Sequence, residues 1–275
     1  MNDSTSLYLD LMKKCLTYSL WGETTQSVEL AEVLPFKNKF LFNKLTAFIN
    51  KNNLEIVRKY DYDPDKRASG LDWPPLADTM IGLRRLDNLQ KCVESVIKNN
   101  ISGDLIETGV WRGGASIFMR AVLMAYGITN RSVWVADSFE GLPMPNLQQY
   151  PQDQGDIHHT IKILAVSLEQ VKANFARYNL LDDQVKFLKG WFKDALPKAP
   201  VEKLAVIRLD GDMYESTIDG LNNLYPKLSV GGYIIIDDYV LKNCRNAVHD
   251  YRKAHGITDE ILDIDGIGAY WQRTQ

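Results

Sequence analysis

Apolar positions recur along this chain with two periods, and each period predicts a different kind of element. Residues 7–20 set Leu7, Leu11 and Met12, then Cys15 and Leu16, at the spacing of an amphipathic helix. Residues 30–56 continue in helical style, with Phe40, Phe42, Leu45, Phe48 and Ile49 as a buried face. Residues 60–75 break the pattern: Asp61, Asp63, Pro64, Asp65, Gly70, Pro74 and Pro75 predict an irregular loop. A helix returns over 83–99, with Leu86, Leu89, Val93 and Val96 along one side and Asp78 or Thr79 as its cap.

From residue 104 onward, short apolar runs alternate with helical stretches. Strands are predicted at 104–107, 132–136, 185–188, 204–209 and 234–236. Helices are predicted at 115–126, at 168–178 with Ser167 as N-cap and Gln170 in the capping-box position, and at 216–228, closing on Val230-Gly231-Gly232. Another helix starts at Cys244 and stops at Gly256. Residues 261–264 and 269–272 read as a last, hairpin-like pair around Asp265-Gly266. This alternation is the signature of an α/β fold with a mostly parallel sheet of about seven strands. Residues 204–236 form one βαβ unit, so Asp210 and the pair Asp237-Asp238 emerge at the same sheet edge. Open α/β sheets bind their ligands at that edge.

Length and composition narrow the class. The 275 residues suffice for one large α/β domain with an extension, or for two small domains, and 45% hydrophobic with 24% charged residues is ordinary for a globular protein. The division expected is an N-terminal helical extension over 1–78 and a core over 79–275; the extension is a substrate cover, an oligomer contact or simple packing. A net charge of −3 gives no basic excess for a phosphate backbone, so nucleic acid is not an expected partner. Cys15, Cys92 and Cys244 are widely spaced and form no CxxC, which fits free thiols in the cytoplasm. No signal-like segment opens the chain and no run approaches 18 apolar residues, so no membrane association is expected.

The carboxylates carry the chemistry. Asp210, Asp212, Asp237 and Asp238 crowded at one edge would repel one another, which is relieved by raised pKa values or by a bound cation. Asp210, Asp237 and Asp238 suit a hard divalent ion such as Mg²⁺, leaving Asp212 as candidate general base. Upstream, Glu107-Thr108-Gly109-Val110-Trp111-Arg112-Gly113-Gly114 is a glycine-rich strand-to-helix turn, distinct from the G-x-G-x-x-G of dinucleotide binders. Asp137 ends the next strand, placed to bind ribose hydroxyls. With no GxxxxGK[ST] lysine, this set points to an adenosine ligand lacking a phosphate chain, which S-adenosylmethionine satisfies. Gly190 and Trp191, at the end of the third strand, either flank an adenine ring or pack; sharing the edge with Asp137 favours the ligand. The long polar stretch to about residue 160 reads as a lid. His158 and His159 within it read as surface residues, and the Arg245/His249 pair as a helix surface or a substrate contact.

Several stretches together resemble the macrocin O-methyltransferase family, which methylates sugar hydroxyls in macrolide and aminocoumarin antibiotic pathways. They are Leu7-Tyr8-Leu9-Asp10-Leu11, Thr79-Met80-Ile81-Gly82-Leu83, the glycine turn from Glu107 to Gly114, Asp137-Ser138-Phe139-Glu140-Gly141-Leu142-Pro143, Phe187-Leu188-Lys189-Gly190-Trp191-Phe192, Asp210-Gly211-Asp212-Met213-Tyr214, Gly231-Gly232-Tyr233, and Asp237-Asp238-Tyr239 through Cys244-Arg245. The match spans nearly the whole chain and is weakest over residues 22–75, which leaves substrate choice open. The resemblance implies a class I methyltransferase (Rossmann-like) fold whose seven-stranded sheet ends in an antiparallel strand, with S-adenosylmethionine and Mg²⁺ as cofactors. It also implies that Asp210, Asp237 and Asp238 ligate the metal and Asp212 acts as base. Thr79, Met80, Glu107, Gly109, Ser116, Asp137, Ser138, Gly190, Trp191 and Asp210 would line the cofactor pocket. A homodimer or higher homo-oligomer is the implied assembly, and a (deoxy)sugar the implied small-molecule hydroxyl acceptor. A hydroxyl on a polyketide or peptide metabolite remains an alternative; so do a Mg²⁺-dependent phosphoester hydrolase and a non-catalytic adenosine-binding module.

Overall fold

The computed structural model describes residues 3–22, 24–28, 30 and 39–275. Its strands are β1 (Thr24–Ser27), β2 (Val57–Tyr60), β3 (Asp104–Thr108), β4 (Val133–Asp137), β5 (Val185–Lys189), β6 (Leu204–Leu209), β7 (Leu228–Ile236), β8 (Leu262–Asp263) and β9 (Ala269–Gln272). The main helices are α1 (Asp3–Leu16), α2 (Lys39–Lys51), α3 (Pro64–Ser69), α4 (Gly82–Lys98), α5 (Gly114–Ala125), α6 (Leu168–Arg177), α7 (Phe192–Ala195), α8 (Tyr214–Leu224) and α9 (Lys242–Ala254).

Seven strands form one sheet in the order β5-β4-β3-β6-β7-β9-β8. The first five are parallel; β9 runs antiparallel to β7, and β8 antiparallel to β9. This is the class I methyltransferase arrangement expected. Both faces are covered, which is why the strands read as unbroken apolar runs. Leu105, Val133, Val135, Val206 and Ile235 pack on one side with residues of α1, α4, α5 and α6. Ile106, Ala136, Ile207, Ile234 and Ile236 alternate to the other side, against α8 and α9. All six residues of β6 are buried, Arg208 among them. The chain leaves β3 toward β4 and returns on the other flank to β6, so a topological switch lies between β3 and β6.

The N-terminal part departs from the sequence expectation. In α1 the buried residues are Leu9, Met12 and Leu16, while Leu7 and Leu11 are exposed. The same spacing supports either stripe, and packing on α5 selects the first. Residues 31–38 of the predicted 30–56 helix lie outside the described residues. In α2, Phe40 and Phe48 are exposed rather than buried. The loop expected over 60–75 contains α3, whose N-cap Asp63 accepts from the N–H groups of Asp65 and Lys66 at 3.0 and 3.1 Å, with Pro64 opening the helix. A small antiparallel sheet pairs β1 with β2. Neither Asp78 nor Thr79 caps α4, which starts after Ile81 without a side-chain cap. Asp78 instead accepts from the Tyr178 hydroxyl at 2.7 Å and pairs with Arg177. Ser167 does cap α6, accepting from Gln170 N–H at 3.2 Å. Val230-Gly231-Gly232 belongs to β7, which starts earlier than the apolar run and crosses a register shift.

Candidate active site

Five parallel strands deliver Gly109, Asp137, Gly190, Asp210 and Asp237 to one sheet edge at the switch point. A cavity of about 350 Å³ opens there. Its walls include Thr79, Met80, Glu107, Gly109, Asp137, Ser138, Trp191, Asp210, Asp212, Asp237 and Asp238. Ser116 and Gly190, expected on the wall, stand behind it. Ser116 is fully buried and its hydroxyl donates to Glu107. Gly190 donates its N–H to the Asp137 carbonyl at 2.9 Å.

The glycine turn is built by close backbone approach. Gly109 has φ +78°, and a Cβ on it would lie 1.6 Å from the Asp210 carbonyl oxygen. No other residue fits without moving β6 away from β3. Asp137 grips this turn: its Oδ2 accepts from Val110 N–H and its Oδ1 from Phe139 N–H, both at 2.7 Å. Burial raises its pKa, and those backbone hydrogen bonds oppose the rise. The sequence assigned Asp137 to ribose alone. In the structure it holds the turn, and it lines the cavity.

A buried ion network floors the site. Arg208 projects from β6 next to Glu107 of β3, its register partner. Its Nη1 donates to Glu107 Oε1 and, at 2.8 Å, to Asp210 Oδ2, while Nη2 faces Asp237 Oδ1. Arg85, from α4, donates to Asp237 Oδ2 and reaches Asp265 at 3.3 Å. Both arginines went unremarked as site residues. Arg208 was marked as the only charge in the apolar run of β6; Arg85, one polar residue among many on α4, carried no comparable signal.

Two guanidinium groups do not balance Glu107, Asp210, Asp212, Asp237 and Asp238. Burial, with the charge of neighbouring aspartates, raises the pKa of Asp210 and lifts that of Asp238 well above the usual range. Burial, then Asp210, pushes Asp212 up to about 7. Burial also brings Glu107 to about 7, against the pull of Arg208 and Ser116. Asp210, Asp237 and Asp238 each offer a carboxylate oxygen within 4.8 Å of the others. An excess of buried negative charge around three convergent hard oxygens fits a divalent cation. Asp212 is held beside them in a left-handed backbone conformation, φ +57°, with its N–H donating to Asp238 Oδ2 at 3.0 Å.

The cavity has further walls. Gly70 and Trp73 line it from the N-terminal segment, and Leu142, Pro143, His158 and Leu164 from the loop after β4. That loop holds three single 3₁₀ turns and is pinned by Asp153, fully buried, which accepts from Tyr214 and Glu215 N–H at 2.7 and 3.0 Å. His158, expected at the surface, is 29% exposed and lines the cavity. Local sequence could not reveal that the loop folds back over the strand ends. Arg245 and His249 stay outside the cavity, exposed on α9, where His249 pairs with the Tyr239 hydroxyl at 2.9 Å.

Comparison with known proteins follows the same lines. A family model described as macrocin-O-methyltransferase (TylF) matches residues 5–273. The chain is 53% identical over 275 residues to the 8-demethyl-8-(2,3-dimethoxy-alpha-L-rhamnosyl)-tetracenomycin-C 4′-O-methyltransferase of Streptomyces olivaceus, covering 99% of this chain and 94% of that one. It is 46% identical over 279 residues to the mycinamicin III 3″-O-methyltransferase of Micromonospora griseorubida, covering both chains in full. Among solved structures, that of the O-methyltransferase NovP superposes with a TM-score of 0.84 at 47% identity, over 98% of this chain and 100% of that one.

Proposed function

The chain belongs to the macrocin O-methyltransferase family and is an S-adenosylmethionine-dependent O-methyltransferase; from that premise we propose that it methylates a hydroxyl of a deoxysugar on an antibiotic-type metabolite, with Mg²⁺ bound at Asp210, Asp237 and Asp238. One relative is named for a rhamnosyl-bearing acceptor, which is the ground for choosing a deoxysugar. The observation that carries the reading is a shared space: the three convergent carboxylates open into the same cavity as Gly109, Asp137 and Trp191.

In this reading Thr79, Met80, Glu107, Gly109, Asp137, Ser138 and Trp191 form the donor pocket with Asp210 at its floor, and Ser116 and Gly190 position Glu107 and Asp137 from behind. When bound, S-adenosylmethionine supplies an electrophilic methyl group, and Mg²⁺ supplies positive charge that eases loss of a hydroxyl proton. A free aliphatic hydroxyl holds its proton about as tightly as water does, far above neutrality, so the base must be well placed. Asp212 takes that proton on its carboxylate. With a pKa of about 7 it is a stronger base than an exposed aspartate, and a substantial fraction is carboxylate near neutrality. Its bond to Asp238 fixes its backbone, and alignment of hydroxyl with donor supplies much of the remaining rate.

The anchored loop after β4 and the N-terminal residues up to 78 act as covers on the acceptor side, which the places of Trp73 and His158 support. Exposed Phe48, Leu54 and Val57 around α2 and β2 fit assembly as a homodimer or larger homo-oligomer, and the free cysteines fit the cytoplasm. The test is methyl transfer from S-adenosylmethionine to phenyl α-L-rhamnoside, followed by mass spectrometry. Transfer should stop after EDTA treatment and return with Mg²⁺. Undiminished turnover in EDTA-treated protein would remove the metal, and absence of transfer would remove the sugar.

A further inference from the structure

His158 occupies a place that the chemistry above leaves unused. It starts a single 3₁₀ turn, His158–Thr160, in the loop between β4 and α6, and lines the same cavity as Asp212 and Asp238. Two hydrogen bonds to Asp156 hold it. Oδ1 of Asp156 accepts from the His158 backbone N–H at 2.9 Å, and Oδ2 faces the ring's Nδ1 at 2.8 Å. The Asp156 side chain is only 4% exposed, so the pair is built into the loop. A carboxylate accepts, so Nδ1 carries the proton and Nε2 is the ring edge left for a ligand. The loop itself is fixed at two further points: Asp153 on the start of α8, and Trp111, whose Nε1–H donates to the Ile163 carbonyl at 2.8 Å. An imidazole aimed by a buried carboxylate on an anchored loop has already lost side-chain freedom, so a ligand meeting it there costs little further ordering entropy.

We propose that His158 binds the acceptor, its Nε2 hydrogen-bonding the hydroxyl next to the one that is methylated. The assignment rests on the deoxysugar reading, because an acceptor with neighbouring hydroxyls is what presents such a group. Beside the carboxylate cluster, His158 adds a ring nitrogen to the donors Lys193, Ser138 and Ser216 elsewhere on the wall. Asp210, Asp212 and Asp238 can only accept when ionised, and the guanidinium groups of Arg85 and Arg208 are taken up by carboxylates. Burial disfavours a charged His158 ring, but the hydrogen bond to Asp156 and the charges of Asp212 and Asp156 outweigh it and raise its pKa above 6.5. The protonated ring donates Nε2–H to the neighbouring hydroxyl oxygen, and the neutral ring, its proton on Nδ1, accepts from that hydroxyl at Nε2. Such a contact fixes which of several ring hydroxyls lies beside Asp212, so His158 is a residue of regiochemical choice.

The test is a cycle of enzyme and acceptor changes. Phenyl α-L-rhamnoside and its 2-, 3- and 4-deoxy analogues are assayed with wild type, His158→Leu and His158→Gln, and the methylated position is read by NMR. One deoxy analogue, lacking a hydroxyl adjacent to the methylated one, should cost wild type about tenfold or more in kcat/KM, as expected for a charge-assisted hydrogen bond. His158→Leu should lose a similar factor on the parent rhamnoside and little more on that analogue. His158→Gln, which keeps an N–H donor, should recover part of the loss. Affinity for S-adenosylhomocysteine should stay within twofold throughout, which excludes a collapsed loop as the cause. Equal sensitivity of wild type and His158→Leu to every deoxy analogue would overturn the assignment while leaving the sugar reading intact. No transfer by wild type to any rhamnoside would overturn the sugar reading, and the His158 assignment with it.

Discussion

Replacing Arg208 by Leu tests the charge accounting on which the site depends. The Arg208 side chain is 1% exposed and faces three carboxylates, Glu107, Asp210 and Asp237. Leucine removes the cation and leaves those groups buried without it; removing one partner of a buried ion pair costs about 3–5 kcal/mol. For a domain of this size each kcal/mol lowers Tm by about 2–4 °C, so the fall should be roughly 6–20 °C. The loss should also depend on pH in a fixed direction. Glu107 already has its folded pKa lifted from 4.5 to about 7 by burial, with Arg208 opposing that lift. Without Arg208 the lift grows. A carboxylate whose folded pKa exceeds its unfolded one binds more protons in the native state, so stability falls as pH rises between the two. The gap between variant and wild type should therefore be widest near pH 8 and narrow toward pH 5. Thermal unfolding of both proteins across that range, followed by circular dichroism, measures it. Unfolding within 2 °C of wild type at every pH would show that Arg208 does not neutralise these carboxylates, and the inferred surplus of negative charge would have to be redrawn. The double variant Arg208→Leu/Glu107→Leu separates charge from packing, because it should regain part of the stability that the single variant loses.

Two other substitutions address the two halves of the cavity. Gly109→Ala places a methyl 1.6 Å from the Asp210 carbonyl, in a left-handed conformation. It should weaken S-adenosylhomocysteine binding by tenfold or more in calorimetry while lowering Tm; wild-type affinity would mean the turn does not form the donor pocket. Asp237→Asn should lower turnover at least a hundredfold with S-adenosylhomocysteine affinity little changed, since it alters one carboxylate of the cluster and leaves the donor pocket in place; retained turnover would remove Asp237 from the metal set.

The sheet edge is legible in the sequence because its strands are buried on both faces and so appear as apolar runs that stop at carboxylates or glycine. Asp210, Asp237 and Asp238 fall together as that reasoning required. The N-terminal third was read poorly for a physical reason. Its short strands β1 and β2 have no apolar alternation to announce them, and in α1 two stripes share the helical spacing, so only packing on α5 decides between them. The Asp63-Pro64 start of α3 was a readable cap signal that the surrounding turn residues obscured.

His158 marks a different boundary. Two adjacent histidines in a polar loop carry no local pattern, and their location depends on Asp153 reaching the backbone of α8 about sixty residues away in sequence. That contact is a side chain capping a helix it does not belong to, which spacing rules do not describe. The same contact ties the loop to the helix that follows Asp210 and Asp212, so loop position and carboxylate position are mechanically linked. A change that frees Asp153 should therefore disturb the His158 side of the cavity before it disturbs the opposite walls, Gly109, Asp137 and Trp191, which hang on strand ends instead.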